Sequence, residues 1–197
     1  MLKRSFDVFV SAFGLLALLP VFIAVAIGIK LDSSGPIFFR QVRVGRYGAP
    51  FRIHKFRTMS VDVESAGRLT VGADSRITRS GHFLRKYKLD ELPQLIDVLI
   101  GKMSLVGPRP EVQEFIDCYP SDVRDKVLSV RPGITDYASI EMIDENEILA
   151  QYDDARQAYI DVILPMKQAY YLKYVDNHGF LVDISLILET IYKVLRR

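Results

Sequence analysis

The feature that most constrains this chain is a run without charge near its N-terminus. From Val8 to Ile29, 22 residues, no side chain is charged. At 1.5 Å each they make about 33 Å of helix, enough to cross the hydrocarbon core of a bilayer. Pro20 stands in the middle, where it removes a helical hydrogen bond and bends the axis. Lys3 and Arg4 precede the run, and Lys30, Arg40, Arg43 and Arg46 follow it. Positive charge marks the cytoplasmic side of a membrane segment, so basic flanks on both sides suggest two cytoplasmic ends. Three arrangements stay open. A straight spanning anchor is the one the residues alone favour, since proline is tolerated in membrane helices. A helix that dips into one leaflet, turns at Pro20 and returns explains the two basic flanks. A cleaved leader is the third, with Ala24-Val25-Ala26 as its small-residue cleavage site.

The chemistry concentrates further on, in Lys88-Leu89-Asp90-Glu91-Leu92-Pro93-Gln94-Leu95-Ile96-Asp97-Val98-Leu99. Leu92, Leu95, Ile96 and Leu99 recur at helical spacing. Pro93 suits a first helical turn, where a missing N–H costs nothing. That places Asp90 at or near the N-cap and Glu91 just inside, where free N–H groups stabilise an anion and also attract phosphate. Two adjacent carboxylates beside a phosphate need a cation, and Mg²⁺ on Asp90 is the natural one. The plain alternative is an ordinary acidic helix start. Against it stand Arg76, Arg79, Arg85, Lys86 and Lys88 just before, and Arg109 just after, a setting that suits a phosphoester.

Charge is split along the 197 residues. Residues 1–110 hold 17 Lys and Arg against 8 Asp and Glu, and residues 111–197 hold 9 against 16, although the net charge is only +2. A basic front half points to anionic partners. Nucleic acid is disfavoured, because the basic residues surround carboxylates and follow a membrane segment. The length supports one domain with a real core, plus an appendage. Cys118 is the sole cysteine, which excludes an intrachain disulfide and a cysteine metal site. There is no Walker-type phosphate loop.

Residues 36–59 read as a β-hairpin turning at Gly45-Arg46-Tyr47-Gly48, with Phe51, Ile53, Lys55 and Arg57 on one face and Arg52, His54 and Phe56 on the other. Lys55 and Arg57 are either a solvated strand face or contacts to phosphate and lipid headgroups; His54 reads as a surface or packing residue. Residues 60–80 form a polar excursion of the kind that serves as a lid. Ser80 then caps a short helix, Gly81 to Tyr87, that carries Arg85 towards Asp90. Gly101 ends the central helix. In Gly107-Pro108-Arg109-Pro110 two prolines hold Arg109 with little backbone freedom, useful for a planar fork that grips phosphate; a helix lead-in is the alternative. Arg131-Pro132-Gly133-Ile134-Thr135 is a second rigid turn. Residues 144–175 read as helix with a kink or break at Pro165. Phe180 to Leu195 is amphipathic, with Ile184, Ile187, Leu188, Ile191 and Leu195 on a face that packs on the core or lies on a bilayer.

Taken together, the broken apolar run, Lys55-Phe56-Arg57-Thr58-Met59, Leu84-Arg85, Leu89-Asp90-Glu91-Leu92-Pro93-Gln94-Leu95, Met103-Ser104-Leu105-Val106-Gly107-Pro108-Arg109-Pro110 and Arg131-Pro132-Gly133-Ile134-Thr135 resemble, in order and spacing, the bacterial sugar transferase family, the monotopic phosphoglycosyl transferases, in their minimal form. The resemblance implies an α+β, helix-dominated fold: a re-entrant membrane helix-break-helix over 1–33, then a cytoplasmic catalytic domain over 34–197 with a small β-hairpin, catalytic helices and amphipathic surface helices. It replaces the spanning anchor with the re-entrant hairpin. It also implies transfer of a sugar-1-phosphate from a UDP-sugar to polyprenyl phosphate, with Mg²⁺, at the cytoplasmic face of the bacterial inner membrane. Asp90 is then the nucleophile and metal ligand, and Glu91 its partner in a catalytic dyad. Pro108, Arg109 and Pro110 belong to nucleotide recognition, and Arg85 faces the phosphates; Lys55, Arg57 and Arg131 complete the expected substrate contacts.

Two departures stand out. Asp136 follows the Arg-Pro-Gly-Ile-Thr turn where many members have glycine, and Glu141-Met142-Ile143-Asp144 replaces a segment that often carries a phosphate-binding arginine. The alternatives to a transferase are a membrane-tethered protein that binds polyanions or lipid without catalysis, and a hydrolase with a phosphoaspartate.

Overall fold

The structure is a computed structural model and describes residues 2–60, 74–142 and 145–196. Most of the polar excursion, residues 61–73, and the Ile143-Asp144 pair therefore lie outside the described residues. The chain is dominated by helices. Two of them, α1 (Leu2–Ala17) and α2 (Leu19–Asp32), are bent by 60° at Leu18, with Pro20 in the first turn of α2. Among the described residues no single helix is long and apolar enough to cross a membrane. Phe9, Phe13 and Leu16 of α1 face outward, and Asp7 and Ser11 face in. The inward aspartate has partners: Ser104 Oγ donates to it at 2.8 Å and the Leu105 N–H at 3.3 Å.

Strands β1 (Phe38–Val44) and β2 (Pro50–Phe56) pair antiparallel around the expected turn, where Tyr47 and Gly48 both have positive φ. Both faces of β2 are covered. Phe51 and Ile53 pack with Leu95 and Val98, whereas Phe56 packs with Ile29, Leu84 and Phe22. Helix α3 (Arg79–Lys86) follows. Its cap is Thr78, whose hydroxyl accepts the Gly81 N–H, and not Ser80. Ser80 instead donates its hydroxyl to Asp32 at the end of α2.

Helix α4 (Gln94–Leu99) buries Gln94, Leu95, Asp97 and Val98. The spacing had pointed to Leu92, Leu95, Ile96 and Leu99, yet Leu99 and Ile100 stay exposed. The cause is Asp97. Its carboxylate accepts the His54 N–H at 2.8 Å and bonds the His54 ring at 2.7 Å, which turns that side of α4 inward.

Strands β3 (Ser104–Val106) and β4 (Gly133–Thr135) form a parallel pair that joins two sequence motifs. Val98, Met103 and Val106 beside it are fully buried; each such side chain contributes about 1.5–3 kcal/mol. Helices α5 (Gln113–Ile116), α6 (Ser121–Val127), α7 (Tyr137–Glu141) and α8 (Glu145–Leu149) surround a second core.

Residues 144–175, expected to be helical with a kink or break at Pro165, are several pieces. After α8 the chain breaks, and Asp154 caps α9 (Ala155–Ala158) through bonds from the Arg156 and Gln157 N–H groups. A π-turn over Tyr159–Ile163 leads directly into α10 (Leu164–Asn177), so Pro165 lies within a continuous helical run, at the point where the π-turn gives way to α-helix.

Helix α11 (Phe180–Leu195) has the expected bounds, and of its apolar stripe Ile187 packs on the core while most of the rest lies outside. Leu188, Ile191 and Leu195 are 61%, 50% and 80% exposed. Asp183 and Leu186 are buried instead. Lys3 and Tyr174 both bond Asp183, and Thr190 bonds Thr135, so polar anchors set the rotation of the helix.

Candidate active site

Lys88 has left-handed backbone (φ 55°, ψ 21°) and turns the chain out of α3. A single 3₁₀ turn, Leu89–Glu91, then carries both carboxylates. Asp90 is therefore not the N-cap of α4, which begins after Pro93. The reason is local. Pro93 has no N–H to continue the ladder, so Leu92 bonds back to Leu89 and Leu95 to Leu92 in 3₁₀ fashion, and α-geometry starts only beyond the proline.

Asp90 and Glu91 are 9% and 8% exposed, yet their surroundings differ sharply. The Arg109 fork holds Glu91, with Nη1 3.0 Å from Oε2 and Nη2 on Oε1. Lys55 Nζ adds a bond to Oε1 at 2.9 Å. Burial would raise the Glu91 pKa, but Arg109 and Lys55 outweigh it and hold the carboxyl well below its ordinary value. The same pair holds Arg109 firmly protonated. Burial pulls the Lys55 ammonium down to about 8 against the attraction of Glu91. Asp90 is the opposite case. Its Oδ1 is buried with no hydrogen-bond partner. Burial and the neighbouring Glu91 charge raise its pKa, while Lys55, Lys88 and Arg85 oppose the rise.

Arg109 is held by the crossing of β3 and β4. A Cβ on Gly107 would lie 2.4 Å from the Arg131 carbonyl oxygen, and one on Gly133 would lie 2.1 Å from the Gly107 nitrogen. Only glycine lets the two backbones approach so closely. The carbonyl of Pro108 accepts the Gly133 N–H at 3.0 Å, and that of Pro110 accepts Arg43 Nη1 at 3.1 Å. The Pro-Arg-Pro run is thus not a helix lead-in but a braced segment aiming its arginine at Glu91.

Of the other expected contacts, Arg85 donates Nε to Thr58 Oγ1 at 3.0 Å and is electrostatically coupled to Asp90. Arg57 also lines the cavity that holds these residues, whereas Arg131 does not, and both have main-chain partners. The Arg57 guanidinium bonds the carbonyls of Ser33 and Ser34 and the Ser33 hydroxyl, tying the end of α2 to the hairpin. Arg131 Nε donates to the Gly101 carbonyl at 3.0 Å. Both hold loops in place in this structure.

One open cavity of about 1930 Å³ collects Asp90, Glu91, Lys55, Arg85 and Arg109. Its wall includes a polar cluster that motif reading missed. Tyr159 donates to Glu111 at 2.7 Å, and buried Lys167 donates to Tyr159 at 3.0 Å and pairs with Glu145 at 2.8 Å. Glu111 directly follows Pro110, which is the one signal that could have drawn attention to it.

Among the described residues no three His, Cys, Asp or Glu side chains converge on a point. A divalent cation would take one protein oxygen here, from Asp90, since both Glu91 oxygens are engaged. That donor set fits Mg²⁺, which commonly takes one carboxylate and completes its shell with water and phosphate oxygens.

The combination of a bent apolar helix pair, a hairpin-borne lysine and an Asp-Glu turn under a braced arginine defines one class of protein. The chain belongs to the bacterial sugar transferase family, whose model matches residues 1–197. It is 34% identical to a UDP-N-acetylgalactosamine-undecaprenyl-phosphate N-acetylgalactosaminephosphotransferase of Aeromonas hydrophila, over 98% of this chain and 44% of that protein. It is 35% identical to a UDP-glucose:undecaprenyl-phosphate glucose-1-phosphate transferase of Escherichia coli, over 98% of this chain and 40% of that protein. An exopolysaccharide production protein of Rhizobium leguminosarum is 36% identical over all of this chain and 96% of its own length. The chain thus spans less than half the length of the first two relatives.

Proposed function

We propose that this protein transfers a sugar-1-phosphate from a UDP-sugar to polyprenyl phosphate through a covalent intermediate on Asp90. One observation carries the reading: of two adjacent buried carboxylates, Glu91 is fully engaged by cations while Asp90 keeps an unpartnered oxygen. A carboxylate is a weak nucleophile and needs an electrophile whose charge is neutralised. Asp90 attacks the phosphorus that bears the sugar, the bond to the UMP oxygen breaks, and UMP leaves. A phosphate oxygen of the polyprenyl acceptor then attacks the same phosphorus and releases the Asp90 carboxylate. Glu91 keeps Arg109 and Lys55 in place, and Arg85 supports the negative charge around Asp90. Mg²⁺, when bound, supplies further neutralisation of the diphosphate, with Asp90 as its protein ligand.

Residues 1–33 form a re-entrant hairpin in this proposal, and residues 34–197 sit at the cytoplasmic face of the inner membrane. The 60° bend, the basic residues on both flanks and the outward apolar side chains of α1 and α11 support it. Such a hairpin holds the site at the depth of the acceptor's phosphate.

The test is a UMP-release assay over a panel of UDP-sugars with polyprenyl phosphate and Mg²⁺, combined with trapping of labelled protein after donor alone. Turnover with at least one donor, an adduct on wild type and none on Asp90→Asn are expected. Full turnover by Asp90→Asn, or UMP release that always requires the acceptor first, overturns the mechanism.

A further inference from the structure

Asp136 is the residue neither the motif nor the proposed chemistry uses, yet it is 1% exposed and carries a carboxylate into the core. Both its oxygens accept main-chain hydrogen bonds. Oδ1 accepts the Ser139 N–H, which makes Asp136 the N-cap of α7. Oδ2 accepts the Arg109 N–H at 2.9 Å. No cationic side chain hydrogen-bonds or ion-pairs with it among the described residues.

An N-cap needs only one oxygen. Serine would cap as well without burying a charge. Burial indeed raises the Asp136 pKa, opposed by the Ser139 bond and the Arg109 charge. The second oxygen accounts for the carboxylate. Arg109 lies between two prolines, which have no N–H. Its own N–H is therefore the only main-chain donor in Pro108-Arg109-Pro110, and Asp136 holds it. Gly133 holds the Pro108 carbonyl and Asp136 holds the Arg109 N–H, the two polar ends of one peptide unit, so without Asp136 that unit is gripped from one side only.

We propose that Asp136 is a positioning residue: through the main chain it fixes the direction in which Arg109 projects its fork onto Glu91. The proposal rests on the reading that the Arg109–Glu91 pair serves the transfer reaction. It ties the chain after β4 to the active turn across 45 positions of sequence, from Glu91 to Asp136.

Asp136→Ser separates the two roles, because its hydroxyl caps α7 but cannot also reach Arg109. We expect kcat/KM to fall at least tenfold, mostly in kcat, with a thermal midpoint close to wild type. In an Arg109→Ala background the same substitution should have almost no further effect, since its target is gone. Wild-type kcat/KM in Asp136→Ser, or an equal loss with and without Arg109, overturns the proposal. If the serine variant does not fold, the near-isosteric Asp136→Asn, which can accept only one of the two N–H groups, takes its place in the same cycle. A second readout does not depend on turnover. The Arg109 Nη resonances in ¹⁵N NMR should be distinct in wild type, where Glu91 holds the fork, and merge in the Asp136 variants. Unchanged resonances overturn the positioning role. Absence of turnover by the wild type with every UDP-sugar, together with merged resonances in the variants, overturns the transferase reading and leaves Asp136 as the residue that aims Arg109.

Discussion

Asp90 and Glu91 are adjacent, equally buried and chemically alike, and still the fold treats them as opposites. Glu91 satisfies two cations and is part of the frame. Asp90 has an unpartnered oxygen, which is why it is the proposed reactive member. Stability should separate them. Glu91→Gln leaves Arg109 and Lys55 as poorly compensated half-buried cations, so about 1–3 kcal/mol of stability should be lost in denaturant unfolding. Asp90→Asn removes a buried charge whose pKa is raised and should be neutral or stabilising in the same experiment, while abolishing UMP release. Equal destabilisation by the two would contradict the assignment.

Titration gives a second check at this scale. In the proposed mechanism Asp90 must be ionised to attack, and its raised pKa moves the acid limb of the rate profile up from that of an unperturbed aspartate. Lys55, pulled down to about 8, sets an alkaline limb near that pH as Glu91 loses one of its cations. Lys55→Arg keeps the charge at all working pH values and should move that limb upward. For stability the sign is reversed. A lysine whose folded pKa lies below its unfolded value disfavours the fold while protonated, and this cost is relieved as pH rises from about 8 towards the unfolded value near 10.4.

At the scale of elements, two junctions hold the site. The β3–β4 crossing is the tighter. Gly107→Ala places a methyl against the Arg131 carbonyl, backbone that cannot swing aside. We expect a loss of about 1–3 kcal/mol or more and a larger loss of activity, because Arg109 moves with its segment. The second junction is the Asp97 bond to the His54 N–H, one residue before Lys55. Asp97→Ala strands a buried donor, a cost of about 1–3 kcal/mol, and should weaken the Lys55–Glu91 pair; wild-type stability in that variant would refute the role.

The elements also show where pattern reading works. The hairpin and its turn were legible because alternation and turn residues are local signals. So was the extent of α11, though not its face. Hydrophobic spacing left the Leu188, Ile191 and Leu195 face either for the core or for a bilayer, and Asp183 and Thr190 turn the other side inward through bonds to Lys3, Tyr174 and Thr135. Polar anchors chose between the two, and no periodicity count can anticipate partners such as Lys3 and Thr135, 180 and 55 positions away. The 144–175 stretch failed for a related reason: its helical composition hid the Asp154 cap and the break before it.

On the scale of the whole molecule, α1 and α11 meet at their N-terminal ends, where Phe6 packs edge-on against Phe180 and Lys3 bonds Asp183. Each keeps an apolar outer face: Phe9, Phe13 and Leu16 on one, Leu188, Ile191 and Leu195 on the other. If α11 lies on the bilayer, Leu188→Glu combined with Ile191→Glu should lower recovery with sedimented anionic vesicles several-fold and leave the melting temperature unchanged, since neither residue is buried. A variant that unfolds, or that sediments like wild type, would argue against that surface.

The sequence by itself determined the uncharged run and its break, the hairpin, and the place of the carboxylate pair among basic residues, because each is written in neighbouring positions. The tertiary structure alone decided which carboxylate is engaged, why Asp97, Glu111 and Asp136 are buried, and which helix faces remain outside. Those outcomes depend on segments far apart in the chain meeting at hydrogen-bond distance, and the free energy of a buried polar group is set by its partner rather than by its neighbours in sequence.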